Sequence, residues 1–338
     1  MKIVDFHVHA IPPEVMGKAG EHGPEELECT ETTRVIRVGN QTASLSPRPL
    51  DTEYYEMYIE AQDEAGVSIS GLELTPLFYF NWVDAETGAA FTRAANDTLA
   101  GYVAAYPDRL FFMATLPMQD IDMALVELRR AVGELGARSV MVGTDSMGGR
   151  DLDDPYFYPL WEELVRMDVP VFTHPGPYNV ENQSNTDSAK YNYDWFPGYN
   201  FRETIAVSHL IFGGVLDEFP GLKVIVPHGG GTVPFLLGKL GRMIGGKVAS
   251  LGDSRAIRSK RPFEDYLHTN FYFDTFVEDA RTLKFVLEVM GPDRVLFGQH
   301  TGLKATTADE LSKVLAADLS KPDLEKVVSK NAMELFKL

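Results

Sequence analysis

Lys2-Ile3-Val4-Asp5-Phe6-His7-Val8-His9 is an apolar run that ends in two histidines spaced two residues apart. Side chains along a strand alternate between faces, so His7 and His9 point the same way and their imidazoles can grip one metal ion. The competing reading is an exposed strand end with two unrelated histidines, and the rest of the chain decides between them. Seven further short apolar runs follow, over residues 67–74, 110–116, 139–142, 169–174, 223–228, 271–274 and 295–298. Amphipathic helical patterns lie between them, over 52–65, 88–105, 120–135, 155–167, 201–218 and 278–290. Strands that alternate with helices at this spacing pair in parallel, and eight such units predict a closed (β/α)₈ barrel, a TIM-like fold. An open doubly wound sheet is the structural competitor. It is disfavoured because no Gly-x-Gly-x-x-Gly follows a strand and opens a helix.

One stretch breaks the alternation. Residues 33–45 read as a hairpin around Gly39-Asn40, which predicts a small β insertion over 24–50, after the first strand. An insertion there leaves the barrel at the C-terminal ends of its strands, where it can cover a site built on that face. A second long loop, residues 175–201, leaves the same face. At the other end of the chain, residues 306–317 and 321–336 read as closing helices, the second capped by Ser320 with Pro322 in its first turn. The whole of 1–338 is expected to form one barrel domain.

The chain has 338 residues, 44% of them apolar, and a formal net charge of -18 with the acidic residues spread along its length. That charge argues against nucleic acid as a partner and requires any anionic substrate to meet a local positive centre. Cys29 is the single cysteine, so no intrachain disulfide can form and a reducing compartment fits. No apolar stretch approaches the roughly 18 residues of a membrane span, and the first residues lack the pattern of a signal peptide. A cytoplasmic protein without a membrane association is the expectation.

Of the eight histidines, five fall at or just beyond predicted strand ends: His7, His9, His174, His228 and His300. Any one alone is better read as a buried histidine bonded to a carbonyl. Five at the ends that converge on one barrel mouth read as a site. Neutral imidazoles suit Zn²⁺ best among common divalent ions. His22, His209 and His268 lie in loop or helix and read as surface or packing residues.

Laid side by side, these strands resemble the metal-dependent amidohydrolase superfamily, and within it the branch of aminocarboxymuconate semialdehyde decarboxylase. The matching features are Asp5-Phe6-His7-Val8-His9, Val171-Phe172-Thr173-His174-Pro175, the block from Gly213 to Gly231 with its Pro227-His228-Gly229-Gly230-Gly231, Phe271-Tyr272-Phe273-Asp274-Thr275, and Arg294-Val295-Leu296-Phe297-Gly298. The resemblance covers nearly the whole chain. It implies that His7, His9 and His174 bind a divalent metal, Zn²⁺ first and Mn²⁺ as the alternative, and that His228 is the general base. It further implies that Trp195 lines the substrate pocket, that Asp274 orients a histidine or relays a proton, and that the enzyme is a homodimer. The three glycines after His228 then allow close approach of backbone or ligand.

Two features depart from the family pattern. His300, in Gly298-Gln299-His300, stands where the family has a metal-binding aspartate, so it enters the reading both as a fourth ligand and as a proton carrier. The arginines that hold a substrate carboxylate are missing around residues 58–63, which leaves Arg48, Arg202 and Arg242 as candidates. The first functional reading is a metal-dependent lyase, a decarboxylase of a small unsaturated or aromatic carboxylic acid. A hydratase or hydrolase that uses metal-bound water on the same scaffold is the runner-up, and a non-catalytic barrel is the third.

Overall fold

The computed structural model describes residues 2–30, 32–45, 54–144, 149–176, 191, 193, 195–244, 257–300 and 307–338. After β1 (Val4–Ala10) the chain builds an antiparallel sheet of β2 (Glu25–Cys29), β3 (Arg34–Val38) and β4 (Gln41–Leu45). Helices and strands then alternate: α1 (Glu56–Ala65), β5 (Ile69–Leu74), α2 (Ala85–Ala105), β6 (Leu110–Thr115), α3 (Ile121–Gly133), β7 (Ser139–Gly143), α4 (Tyr158–Met167), β8 (Val171–His174) and α5 (Phe196–Phe212). A short α6 (Val215–Glu218) leads to β9 (Val224–Val226), α7 (Val233–Met243), α8 (Phe263–Thr269), β10 (Phe271–Asp274), α9 (Ala280–Met290) and β11 (Val295–Leu296). The chain ends in α10 (Thr307–Ala316), α11 (Lys321–Glu325) and α12 (Asn331–Leu335).

Eight strands form one parallel sheet in the order β1-β5-β6-β7-β8-β9-β10-β11. The N–H of Phe6 donates to the carbonyl of Phe297 at 3.1 Å and draws the two edges together into a barrel. The expected (β/α)₈ architecture is therefore the observed one. Aspartates set several helix starts: Asp84, Asp120 and Asp279 each accept a hydrogen bond from a backbone N–H in the first turn of α2, α3 and α9.

Large side chains fill the barrel interior in layers. Phe6, Phe111, Met113, Met141, Phe172 and Ile225 form a core that Leu335 and Phe336 close from the N-terminal end. The Phe336 ring lies 5.9 Å from Phe6 and 4.9 Å from Phe111, so the C-terminal helix plugs the floor of the barrel. Above this floor Phe172 meets His7 edge to face at 5.1 Å. The apolar plug thus ends where the histidines begin, which keeps water from reaching the site from below.

The structure corrects several sequence-based boundaries. The insertion carries a third strand, β2, beyond the expected hairpin; the turn itself is as expected, with Val38 pairing to Gln41 across Gly39-Asn40. Residues 46–50 of the insertion lie outside the described residues, as do 177–190 of the second loop. The helix expected over 201–218 starts earlier and divides into α5 and α6, because Gly214 adopts φ +75°, a left-handed conformation that ends the first helix. The strand expected to run through residue 228 stops at Val226, and the one expected to run to 298 stops at Leu296. The closing segment 321–336 is not one helix, since a π-helical stretch, Lys326–Lys330, separates α11 from α12.

Candidate active site

The five histidines named from the sequence converge at the C-terminal mouth. His7 and His9 belong to β1 itself, which is longer than expected, and His174 is the last residue of β8. His228 follows β9 and His300 follows β11, and both take left-handed backbone conformations, φ 51° and 53°. Such conformations cost a non-glycine residue about 1–3 kcal/mol and persist where the surroundings hold them. Here they turn the chain sharply at the strand ends while the imidazoles stay over the barrel axis. The ring centroids of His7 and His300 are 4.8 Å apart, of His9 and His300 4.5 Å, and of His228 and His300 4.8 Å.

Hydrogen bonds fix which nitrogen each ring presents. His7 donates from Nδ1 to Oδ2 of Asp274 at 2.8 Å, and His174 donates from Nδ1 to the carbonyl of Pro175 at 2.8 Å. Each ring then carries its lone pair on Nε2. The Nε2 atoms of His7, His174 and His300 are buried and have no hydrogen-bond partner among the described residues. Buried nitrogens are normally satisfied, so lone pairs without a partner that converge here fit ligands of a cation. His7, His9, His174 and His300 each offer a ligand atom, and these atoms lie within 4.8 Å of one another. The donor set fits a divalent metal, as the sequence predicts.

Two carboxylates at this mouth escape the sequence reading. Glu73, on β5 in register with His9, is fully buried. Its Oε1 lies 3.2 Å from Nε2 of His7 and 3.0 Å from Nδ1 of His9. Glu203, on α5, is likewise fully buried and accepts a short hydrogen bond from Nδ1 of His228. The first could have been flagged as a carboxylate near the end of a strand buried along its whole length. The second carries no such signal, since an acidic residue on an amphipathic helix is ordinary.

The electrostatics follow from these contacts. Burial alone would push His7 down, but Glu73 and Asp274 overcome it and hold the imidazole up at about 10. Burial works to raise Glu73, yet His7 and His9 keep it below the usual carboxylate range. Burial, reinforced by the neighbouring imidazoles, drives His174 and His300 well below the ordinary histidine value, so both are neutral donors. Burial raises Glu203, and His228 offsets that only in part. A site that favours a proton on His7 against full burial favours any cation there.

Asp274 bonds His7 through one oxygen, while the other accepts from the N–H groups of Gly229 at 2.9 Å and Phe276 at 3.2 Å. Of the two roles named for it, orienting a histidine is the one this geometry supports. The glycines after His228 serve close backbone packing: a Cβ on Gly230 would sit 2.7 Å from the Phe273 ring, at φ +84°.

Two cavities meet over the histidines, of about 910 Å³ and about 290 Å³. Trp195, Tyr199 and His300 line both. The larger has His228 at its base and Phe235, Phe276 and Phe285 in its walls. Ser44 and Leu45 of the insertion line the smaller one beside His9 and His174, so the insertion does cover part of the site. Trp195 is 43% exposed and stacks on Tyr199 at 5.9 Å. Arg202 is buried, donates to the carbonyl of Gly176 at 2.8 Å and lies over the Tyr199 ring, behind the cavity wall. Arg48 lies outside the described residues, and Arg242 sits in the last turn of α7.

A (β/α)₈ barrel with convergent imidazoles and buried carboxylates at its C-terminal mouth is the architecture of metal-assisted hydrolases and lyases. The chain belongs to the Amidohydrolase family, whose model matches residues 4–338. It is 31% identical over 319 residues to gamma-resorcylate decarboxylase of Rhodococcus jostii, covering 89% of this chain and 92% of that protein. It is 28% identical over 300 residues to 2-amino-3-carboxymuconate-6-semialdehyde decarboxylase of Dictyostelium discoideum, covering 87% and 80%. Among solved structures, 5-carboxyvanillate decarboxylase of Novosphingobium aromaticivorans, complexed with manganese and 4-hydroxy-3-methoxy-5-nitrobenzoic acid, superposes with a TM-score of 0.76 at 29% identity, over 83% of this chain and 79% of that one.

Proposed function

We propose that this protein is a divalent-metal-dependent decarboxylase of a small aromatic carboxylic acid. The observation that carries the reading is the larger cavity, which combines aromatic walls with His228 and His300 at one end. Its volume is in the range of small-molecule sites, and an apolar, aromatic lining suits a planar ring whose polar groups must turn toward the histidines. The relatives' own aromatic acids, gamma-resorcylate and 5-carboxyvanillate, have that shape.

His7, His9, His174 and His300 would hold the ion, Zn²⁺ by the preference of nitrogen donors or Mn²⁺ as in the structural relative. When bound, it would supply Lewis acidity toward the oxygens of the substrate. Trp195 and Phe276 would flank the ring. His228 is the proton carrier of this scheme. Nδ1–H of His228 donates to Glu203, so the ring, when doubly protonated, would give the proton on Nε2 to the ring carbon that bears the carboxylate and regain it from solvent after turnover. The bond to the carboxylate carbon then breaks, its electron pair restores the aromatic ring, and CO₂ leaves. Since Asp274 is already bound to His7, Gly229 and Phe276, it acts on the reaction through His7. The reading includes a homodimer, on the strength of the family resemblance, and a cytoplasmic location, on the strength of the composition; sedimentation would test the assembly.

The test is release of labelled CO₂ from carboxyl-labelled gamma-resorcylate and 5-carboxyvanillate by protein stripped with a chelator and then reloaded with Mn²⁺ or Zn²⁺. The proposal expects turnover that depends on the added ion and disappears in His228→Ala. Metal-dependent addition of water to an unsaturated acid with no CO₂ from either substrate would replace it by the hydratase reading.

A further inference from the structure

We propose that Glu73 is a direct ligand of the metal centre and its only anionic one among the described residues. The inference rests on the reading of the histidine cluster as a metal site, and it assigns that site a fifth donor from a strand that the imidazoles do not use.

Three observations converge on it. First, Glu73 is fully buried, and both its oxygens lack a hydrogen-bond partner among the described residues. A buried carboxylate left in this state is costly unless a cation completes it. Second, the spacing of Glu73 from the two histidines of β1 is that of a co-ligand. Two donors each about 2.1 Å from one ion stand about 3.0 Å apart at a right angle and about 3.4 Å apart at the tetrahedral angle. Oε1 of Glu73 is 3.2 Å from Nε2 of His7 and 3.0 Å from Nδ1 of His9. Third, charge demands it. Four imidazoles are neutral donors and would leave a divalent ion with its full charge in a buried pocket, where an uncompensated charge is heavily penalised. One carboxylate in contact halves that charge.

The same argument explains how strand-end residue 300 can be a histidine. With the negative charge supplied from β5, the last barrel strand need not provide it. His300 is then free to be a neutral donor that stacks on Phe276 at the cavity wall, with the ring centroids 4.9 Å apart. The carboxylate has changed strands, from the end of β11 to the end of β5, and stays at the same barrel mouth.

The test compares wild type, Glu73→Gln and the double variant Glu73→Gln/His300→Asp, each stripped and titrated with Mn²⁺ and Zn²⁺ in competition with a chromophoric chelator. Circular dichroism of the stripped proteins reports folding. Loss of an outer partner of a metal ligand costs about 10- to 100-fold in affinity, so loss of a direct anionic ligand should weaken binding by more than about 100-fold in Glu73→Gln. The double variant should recover to within about tenfold of wild type, because the charge has been returned on another strand. A loss of about 100-fold or less in Glu73→Gln, the size expected of an outer partner, would overturn the proposal. Should Glu73→Gln fail to fold, the metal-loaded structure of the wild type decides. A Glu73 oxygen about 2.0–2.2 Å from the ion supports the assignment, and both oxygens beyond about 3.5 Å refute it. Wild type that takes up neither ion would refute the metal centre itself, an outcome distinct from a wild type that binds and a Glu73→Gln that binds equally well.

Discussion

Replacing Glu203 by glutamine isolates the contribution of a single buried charge to His228. The side chain keeps its volume on α5, so packing against Gly231 is retained, and only the charge on the acceptor of Nδ1 is lost. A hydrogen bond to a charged, buried partner contributes about 1.5–3 kcal/mol. If that stabilisation acts on His228 when it carries or delivers its proton, the loss appears in kcat/KM as a factor of about 10 to 150. The glutamine can also present its amide N–H₂ to Nδ1, which would hold Nδ1 as an unprotonated acceptor and disfavour the doubly protonated ring that delivers its proton from Nε2. The assay is steady-state decarboxylation with metal content held equal, together with ¹⁵N NMR of the His228 ring. Wild type is expected to show the proton on Nδ1, and Glu203→Gln to show a fall in kcat with KM little changed. A kcat within about twofold of wild type, with the tautomer altered, would refute the assignment of His228 as proton carrier.

Asp274→Asn should weaken metal binding by about 10- to 100-fold, because the ring of His7 loses its anionic partner at 2.8 Å; a chelator competition titration reads this directly. Trp195→Ala removes half of a stacked pair at the junction of both cavities and is expected to raise KM for aromatic acids several-fold more than it lowers kcat, which initial-rate kinetics separate. Glu163 is held down to about 2 by Arg166 and Arg129, below its ordinary 4.5. Its folded-state value lies below the unfolded one, so its contribution is present above 4.5 and is lost as pH falls toward 2. Glu163→Gln should therefore melt lower than wild type at neutral pH, and the gap should close over that acid window in thermal scans.

Periodicity carries most of this fold, since eight buried strands between amphipathic helices leave one closed solution. The parts it misses have identifiable physical causes. β2 reads Glu25-Glu26-Leu27-Glu28-Cys29, a mostly charged and exposed strand without apolar alternation. α7 holds Gly238 and Gly241, which weaken the helical pattern between Val233 and Met243. Apolar runs lead up to His228 and His300 and so suggest longer strands than β9 and β11, yet both residues sit at positive φ, where no strand continues. The site divides the same way. Histidines at strand ends announce themselves because few other reasons collect five of them there. Glu73 and Glu203 do not, since their meaning comes from what the folded chain brings against them: His7 and His9 beside the first, His228 beside the second.

The measurement that bears most directly on the account is the metal content of the protein purified without added ions, for wild type beside His174→Ala. The buried Nε2 of His174 has no hydrogen-bond partner among the described residues and fits a donor to a cation, so wild type should carry close to one divalent ion per chain and the variant little or none. Folded wild type that holds no divalent ion, and takes none up when Mn²⁺ or Zn²⁺ is supplied, would contradict the metal centre on which every step of the chemistry depends.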